Sequence, residues 1–153
     1  VGEPEEFKKP VVEHTAPLLP SDKPRYLMGV GRPFDIIHAV KNGVDLFDCV
    51  LPTRMGRHHL IFTLQGEMNL LNAKYADASS FDDGLGIYEG LMRYSPAYLR
   101  HLYKCQEPLA ARLASLQNLY FYSVLMRDIR EAITSNSWER LEDKYRNCGS
   151  KKA

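Results

Sequence analysis

The sequence predicts an α/β fold that begins with a β-α-β unit. Two short apolar runs, at residues 26–30 and 46–50, have the length and composition of strands, and the segment between them has helical periodicity. Strand, crossover helix and strand in this order imply two parallel neighbouring strands. A hairpin pattern and a long helical region follow. The 153 residues are enough for one domain with a real core.

Residues 1–24 are rich in proline, so any helix there is short or interrupted. Residues 5–15 are the candidate for such a helix, with Pro10 inside it. The helix of the β-α-β unit is predicted over 33–42, because apolar side chains recur there at intervals of three residues and Gly43 follows as a stop signal.

The pattern changes after residue 57. Apolar runs at 60–63 and 67–71 flank a Leu-Gln-Gly sequence at 64–66, which predicts a β-hairpin. A polar loop is expected over 76–83.

The remainder of the chain is predicted to be helical. Ser95 is a candidate N-cap, with Pro96 at the first helical position. A long helix is expected over 107–134, where apolar residues follow a three-four spacing, and a short last helix over 138–145. Residues 147–153 are expected to form a frayed tail.

The composition is that of an ordinary soluble surface, with a net charge of +1 and 25% charged residues. A nucleic-acid contact would therefore have to come from a local basic patch. No window reaches the roughly 20 apolar residues that span a bilayer, and no signal peptide is visible. The three cysteines are widely separated and form no disulfide framework, which predicts a cytoplasmic protein.

The run at 46–50 is predicted to be a short buried strand that carries one acidic residue into a loop containing Pro and Arg. Side chains alternate along a strand, so Asp48 lies on the face opposite to Phe47 and Cys49. A carboxylate in so apolar a strand must be satisfied by partners. Two interpretations are open: a structural Asp bonded to backbone amides, or a nucleophile or base at the carboxyl end of a barrel strand.

Three separated motifs occur in an order that matches a known family. They are RYLMGVG at 25–31, FDCVLPTR at 47–54 and NAKY at 72–75. On these motifs the chain resembles bacterial-type tRNA-guanine transglycosylase (queuine tRNA-ribosyltransferase). The resemblance covers nearly the whole chain but only the C-terminal part of the enzyme.

The resemblance implies the C-terminal part of a (β/α)₈ TIM barrel, with the β-α-β unit as its last two parallel strands. Two strands cannot close such a barrel, which needs about 250 residues. The implied division is the last β/α units at 1–57, an inserted β-hairpin with a degenerate zinc subdomain at 58–92, a C-terminal helical subdomain at 93–146 and the tail at 147–153.

The resemblance also implies the reaction. Guanine at the anticodon wobble position of tRNA would be replaced by a 7-deazaguanine, which is queuine or its precursor. Asp48 matches the family's nucleophile, which forms a covalent aspartyl-ribosyl intermediate. Such chemistry needs an ionised carboxylate on a rigid element.

Further site residues follow from the same motifs. Leu27, Met28 and Gly29 match a segment that lines the base pocket, although ordinary strand packing would also explain Met28. Arg54 and Arg57 match arginines near the target loop of the tRNA, and Lys74 extends the expected tRNA-binding set. The alternative interpretation is that each of these three residues is an ordinary solvated surface residue.

One glycine pattern and one histidine pair give weaker evidence for a binding site. The Gly-Val-Gly sequence at 29–31 lacks the third glycine of a dinucleotide-binding loop, since Phe34 stands at that position. The adjacent His58 and His59 suggest a metal site, but neighbours on an extended segment point in opposite directions. We favour a loop role for both, and His59 stands where the family commonly has Gly.

The family binds a structural zinc through a Cys-x-Cys-x-x-Cys cluster and a later His. An alignment anchored on YSPAYL at 94–99 places these four positions at Gly86, Tyr88, Leu91 and Gln117. Zinc prefers thiolate or imidazole ligands, so no metal site is predicted and the family's zinc is expected to be lost. An apolar mini-core is the predicted substitute; its members are Leu85, Ile87, Tyr88 and Leu91.

The general base of the family and most base-recognition groups lie in the N-terminal part of its barrel. We therefore predict that this chain alone is inactive and acts as part of a larger enzyme. The expected partners are tRNA, a guanine or 7-deazaguanine base, and either a missing N-terminal barrel half or a second copy in a homodimer. The alternative is a truncated, non-catalytic paralogue that binds tRNA or a transglycosylase subunit.

Overall fold

A computed structural model describes residues 5–82 and 84–148 of the chain. The end of the predicted polar loop, at residue 83, and the tail beyond residue 148 lie outside the described residues. The described part is a mixed α/β structure in two compact units, the first ending at Leu51 and the second starting at Pro52.

The first unit contains the predicted β-α-β arrangement. In chain order its elements are α1 (Glu5–Thr15), a 3₁₀ turn (Ala16–Leu18), β1 (Tyr26–Met28), α2 (Pro33–Lys41) and β2 (Leu46–Asp48). The two strands pair in parallel, with Tyr26 opposite Leu46 and Met28 opposite Asp48. Both the parallel pairing and the helix over 5–15 are confirmed, and Pro10 lies inside that helix.

Both strands are shorter than predicted, for a local reason. Gly29 has a φ of 72°, which ends the extended backbone of β1 directly after Met28. β2 ends at Asp48, and three residues later the Leu51 N–H donates to Cys49 Sγ at 3.2 Å. The chain therefore leaves both strands at the same end of the pair.

The sheet is covered on one face. Ala16, Ala39 and Val44 form a small core, and Leu27 and Phe47 pack against it from the strands. The other face is open: Leu46 is 52% exposed, and Asp48 is also exposed. The predicted alternation of side chains is confirmed, but the expectation that 46–50 is a buried strand is wrong, since among the described residues β1 and β2 pair only with each other.

The second unit carries the hairpin and the remaining helices. In chain order its elements are α3 (Leu51–Arg57), β3 (Leu60–Thr63), β4 (Gly66–Asn69), a 3₁₀ turn (Ala73–Tyr75), α4 (Glu89–Met92), α5 (Pro96–Lys104), α6 (Pro108–Ser135) and α7 (Trp138–Tyr145). β3 and β4 are antiparallel, so the predicted hairpin is confirmed. The predicted cap is present too, since the Ser95 side chain accepts a hydrogen bond from the Tyr98 N–H.

One local expectation in this unit is wrong. The Pro and Arg residues after Asp48 were expected in a loop, but they lie on the helix α3. Pro52 is in its first turn, where the missing N–H has no intrahelical partner to lose. The helix ends because His59 has a left-handed φ of 67°, a conformation that glycine adopts more readily than other residues. His58 and His59 lie in this turn, as predicted.

The core of the second unit forms between the hairpin and the helices. Its fully buried members include Ile61, Leu70, Leu91, Leu99 and Ala110. Cys148 is also buried, and its Sγ donates to the Thr63 carbonyl oxygen at 3.0 Å. Burial raises the pKa of this thiol to about 11. Within residues 5–82 and 84–148, none of the helices has the length and apolar character needed to cross a membrane.

Candidate active site

The end of β2 places Asp48 on the open face of the first unit. Its Oδ1 accepts a hydrogen bond from the Tyr26 hydroxyl at 2.7 Å and lies 3.2 Å from the Gly29 nitrogen. The parallel register explains the first contact: Met28 is opposite Asp48, and Tyr26, two residues earlier on β1, points to the same face. The Gly29 N–H also donates to the Asp48 backbone carbonyl at 3.1 Å, and this contact between the ends of the two strands holds it close to the carboxylate.

These two contacts keep the carboxylate ionised. The Tyr26 hydroxyl, and after it the Gly29 N–H, lower the pKa of Asp48, and partial desolvation opposes them only in part. The same hydrogen bond raises the pKa of the Tyr26 phenol, since it stabilises the protonated hydroxyl beside a negative charge. The pair at neutral pH is therefore a carboxylate that accepts from a neutral phenol.

Sequence reasoning missed Tyr26. The signal that could have found it was the predicted parallel pairing of 26–30 with 46–50. A pairing that sets Met28 beside Asp48 also brings the Tyr26 side chain, on the same face, within reach of the carboxylate.

An open, mainly apolar groove of about 260 Å³ adjoins the end of the strands. All three predicted base-pocket residues, Leu27, Met28 and Gly29, line it. Gly31 also lines it, and a Cβ at this position would lie 2.2 Å from Cys49 Sγ. Close packing against Cys49, the residue after β2, thus explains the glycine at 31 without a dinucleotide-binding loop.

The predicted tRNA-binding cations lie on the surface of the second unit. Arg54 and Arg57 are exposed in the last turn of α3, and their spacing of three residues places them on one side of that helix. Lys74 is on a different element, the 3₁₀ turn, where its Nζ lies 4.9 Å from the centre of the Tyr75 ring. The Asn72 side chain accepts from the Lys74 N–H and fixes the start of that turn.

The four positions that match the family's zinc ligands come together in the second unit. The Gln117 amide contacts the backbone at two of them: Nε2 donates to the Gly86 carbonyl at 3.2 Å, and Oε1 accepts from the Tyr88 N–H at 2.6 Å. Leu91 is fully buried beside them. None of the four side chains is a thiolate or an imidazole, so these residues do not fit a tetrahedral zinc ion.

Comparisons with known proteins place the chain in one family. The family model described as Queuine tRNA-ribosyltransferase matches residues 1–149. The chain is similar to the queuine tRNA-ribosyltransferase of Clostridium tetani, with 48% identity over 153 residues, which are 99% of this chain and 40% of that protein. It is 49% identical over 146 residues to the enzyme of the same name from Nitrosomonas europaea, covering 95% of this chain and 39% of that protein.

A third relative, the queuine tRNA-ribosyltransferase of Clostridium perfringens, is 53% identical over 134 residues, which are 87% of this chain and 35% of that protein. The chain thus spans about two fifths of the length of these curated relatives. The match to the family model extends over almost every residue from the N-terminal helix to the last one. The chain belongs to the queuine tRNA-ribosyltransferase family, of which it corresponds to the C-terminal portion.

Proposed function

We propose that this chain supplies the nucleophile and one wall of the base pocket of a tRNA-guanine transglycosylase. The observation that carries the proposal is the ionised Asp48 carboxylate, held at a strand end by Tyr26 and Gly29 beside the groove lined by Leu27 and Met28. The substrate would be a tRNA whose wobble guanine is replaced by a 7-deazaguanine. The complete site would include groups from the part of the enzyme that this chain does not span.

The reaction would be a double displacement. A carboxylate oxygen of Asp48 attacks C1′ of the target nucleotide, the glycosidic bond breaks, and guanine leaves with the bonding electrons and gains a proton. The incoming 7-deazaguanine loses a proton from its ring nitrogen and attacks the same carbon, which releases Asp48. Since Oδ1 accepts from both Tyr26 and Gly29, we propose Oδ2 as the attacking atom.

The strand arrangement of the first unit supports the proposal that it is part of a (β/α)₈ barrel. A parallel pair with helices on one face and an open face opposite is what two neighbouring strands of a (β/α)₈ barrel present when the other six are not considered. We propose that β1 and β2 are the last two strands and that their open face, with Tyr26, Met28 and Asp48, faces the barrel interior. Subunit pairing remains a prediction.

The deciding experiment measures incorporation of labelled guanine into tRNA. We expect no exchange by the chain alone and exchange when it is mixed with the N-terminal portion of a relative such as the Clostridium tetani enzyme. A mixture that assembles, as judged by co-elution, and still shows no exchange would contradict the proposal.

That outcome would favour the second candidate, a non-catalytic paralogue that binds tRNA or a transglycosylase subunit. The observation in its favour is the change at the family's zinc positions, now Gly86, Tyr88, Leu91 and Gln117. The intact FDCVLPTR motif at 47–54 weighs against it, because a site that has lost its chemistry need not keep these residues.

The Tyr26→Phe variant tests whether the Tyr26 hydroxyl lowers the pKa of the Asp48 carboxylate. Losing the hydroxyl removes the main cause of the lowered Asp48 pKa, so the fraction of ionised carboxylate falls first at acidic pH. We expect the acid limb of the exchange-rate profile to move to higher pH by up to about one pH unit, the free energy of one hydrogen bond, and the rate at pH 7 to stay close to that of the unmodified chain. The profile is measured on the assembled mixture between about pH 3 and 7, a range that brackets the ordinary Asp pKa of about 3.9.

Tyr120→Phe is the matched control, since this exposed tyrosine lies on α6 in the second unit. Its profile should overlay that of the unmodified chain. An acid limb that does not move in Tyr26→Phe would mean that the phenol does not tune the reacting carboxylate.

A further inference from the structure

The buried amide of Gln117 connects three separate segments of the second unit. Its Nε2 donates to the Phe62 carbonyl on β3 at 3.1 Å and to the Gly86 carbonyl at 3.2 Å. Its Oε1 accepts from the Tyr88 N–H at 2.6 Å. The side chain is 0% exposed, and each contact joins residues 29 to 55 positions apart in the chain. One side chain thus ties the segment at 86–88 to both α6 and the hairpin.

The next residue on α6 repeats the arrangement. Asn118 is also 0% exposed; its Nδ2 donates to the carbonyl oxygens of Pro52 at 2.8 Å and Leu60 at 3.0 Å, and its Oδ1 accepts from the Phe62 N–H at 2.8 Å. Both amides use their two N–H donors and one acceptor site. Fully satisfied buried amides of this kind fix a unique arrangement of the backbone around them.

We infer that the amide of Gln117 takes the place of the family's structural zinc in this chain, so that the second unit folds without a metal ion. The position of the fourth ligand, a histidine in the family, here holds a side chain that contacts the backbone at two of the other three positions. A neutral imidazole has one donor and one acceptor, so it cannot serve the three backbone groups that Gln117 serves.

The other three positions have changed in a consistent way. Gly86 has a left-handed φ of 70°, and a Cβ there would lie 3.2 Å from Leu64 Cγ, so a cysteine would be strained. The Tyr88 ring lies 5.5 Å from the Tyr120 ring on α6, and Leu91 is part of the buried core. Leu85 is buried in the same core, and Ile87 packs against it, as the predicted apolar substitute requires; Tyr88 remains partly exposed.

The first test measures metal and stability on the full chain. We expect a zinc content far below one ion per chain by inductively coupled plasma mass spectrometry, for protein produced with zinc in the medium. The melting temperature should be the same with and without a strong zinc chelator. One tightly held zinc per chain, or a melting temperature that falls with the chelator, would overturn the inference.

The second test removes the network. Gln117→Met keeps the volume but removes the partner of the buried Phe62 carbonyl and of the partly buried Gly86 carbonyl and Tyr88 N–H, so we expect the melting temperature to fall by roughly 10 °C or more. The control Gln65→Met changes an exposed glutamine in the hairpin turn and should shift it by about 1 °C. Equal shifts in the two variants would overturn the inference.

A measurement on the unmodified chain covers the case in which Gln117→Met does not fold. Amide hydrogen exchange should show the Tyr88 N–H protected to about the same degree as the Phe62 N–H, since buried side-chain amides accept from both. The chelator should leave this protection unchanged. A Tyr88 amide that exchanges as fast as an exposed loop amide would overturn the inference.

Discussion

Replacing Asp48 by Asn is expected to abolish guanine exchange by the assembled enzyme, with a loss of roughly a thousandfold or more. The side chain keeps its size, and an Asn Oδ1 can still accept from the Tyr26 hydroxyl and the Gly29 N–H. The strand pair and the groove beside it should therefore remain as they are. What is lost is the negative charge, and a neutral amide does not attack an anomeric carbon.

The measurement is labelled-guanine incorporation into tRNA by the chain mixed with the N-terminal portion of a relative. A second readout is the covalent intermediate, which should appear as a denaturation-resistant protein–RNA band for the unmodified chain and be absent for Asp48→Asn. The control Asp22→Asn makes the same chemical change in the exposed turn before β1 and should leave exchange unchanged. Exchange by Asp48→Asn above a few per cent of the control rate would mean that another group is the nucleophile.

The local part of the fold was predictable because the signals that set it are short-range. The proline at 33 and Gly43 delimit α2, and the structure ends that helix at Lys41, one residue before the predicted end. Ser95 and Pro96 predict the start of α5 because a cap needs only residues within one turn. The hairpin likewise depends on two apolar runs and a glycine between them.

The environment of Asp48 was less predictable, because it depends on residues that are distant in sequence. Tyr26 is 22 residues away and reaches the carboxylate through strand register, which the apolar pattern alone does not fix. The apolar run at 46–50 suggested burial, but burial also depends on what covers the second face of the sheet. Leu46 and Asp48 remain open on that face in the part of the enzyme that this chain spans.

Gln117 shows the same limit in the second unit. On α6 it occupies a buried position between Leu113 and Phe121, and nothing in the helical pattern distinguishes it from a polar residue at the edge of an apolar stripe. Its three partners lie on β3 and at 86–88, so only the folded unit reveals that it is fully satisfied. The family alignment indicates only that a zinc ligand is absent at position 117. The structure shows that Gln117 forms three hydrogen bonds there.

Replacing Arg54 and Arg57 together by Ala is expected to weaken tRNA binding by the assembled enzyme roughly tenfold at physiological salt. The two side chains are exposed on one side of the last turn of α3, a placement that suits two contacts to one stretch of RNA backbone. An arginine fork binds a phosphate through two parallel hydrogen bonds, so each loss removes both charge and geometry.

The salt dependence separates phosphate contacts from contacts to base edges. If both arginines contact phosphates, the slope of log affinity against log salt should become shallower by about 1.5, since each phosphate contact contributes about 0.7 to 0.9 to it. A tenfold loss with an unchanged slope would instead assign them to base edges. The control Arg130→Ala removes an exposed arginine from α6 and should change neither value. Neither arginine belongs to the unit that carries Asp48, so exchange at saturating tRNA should persist in the double variant. Normal tRNA binding by the double variant would remove both residues from the proposed tRNA-binding set.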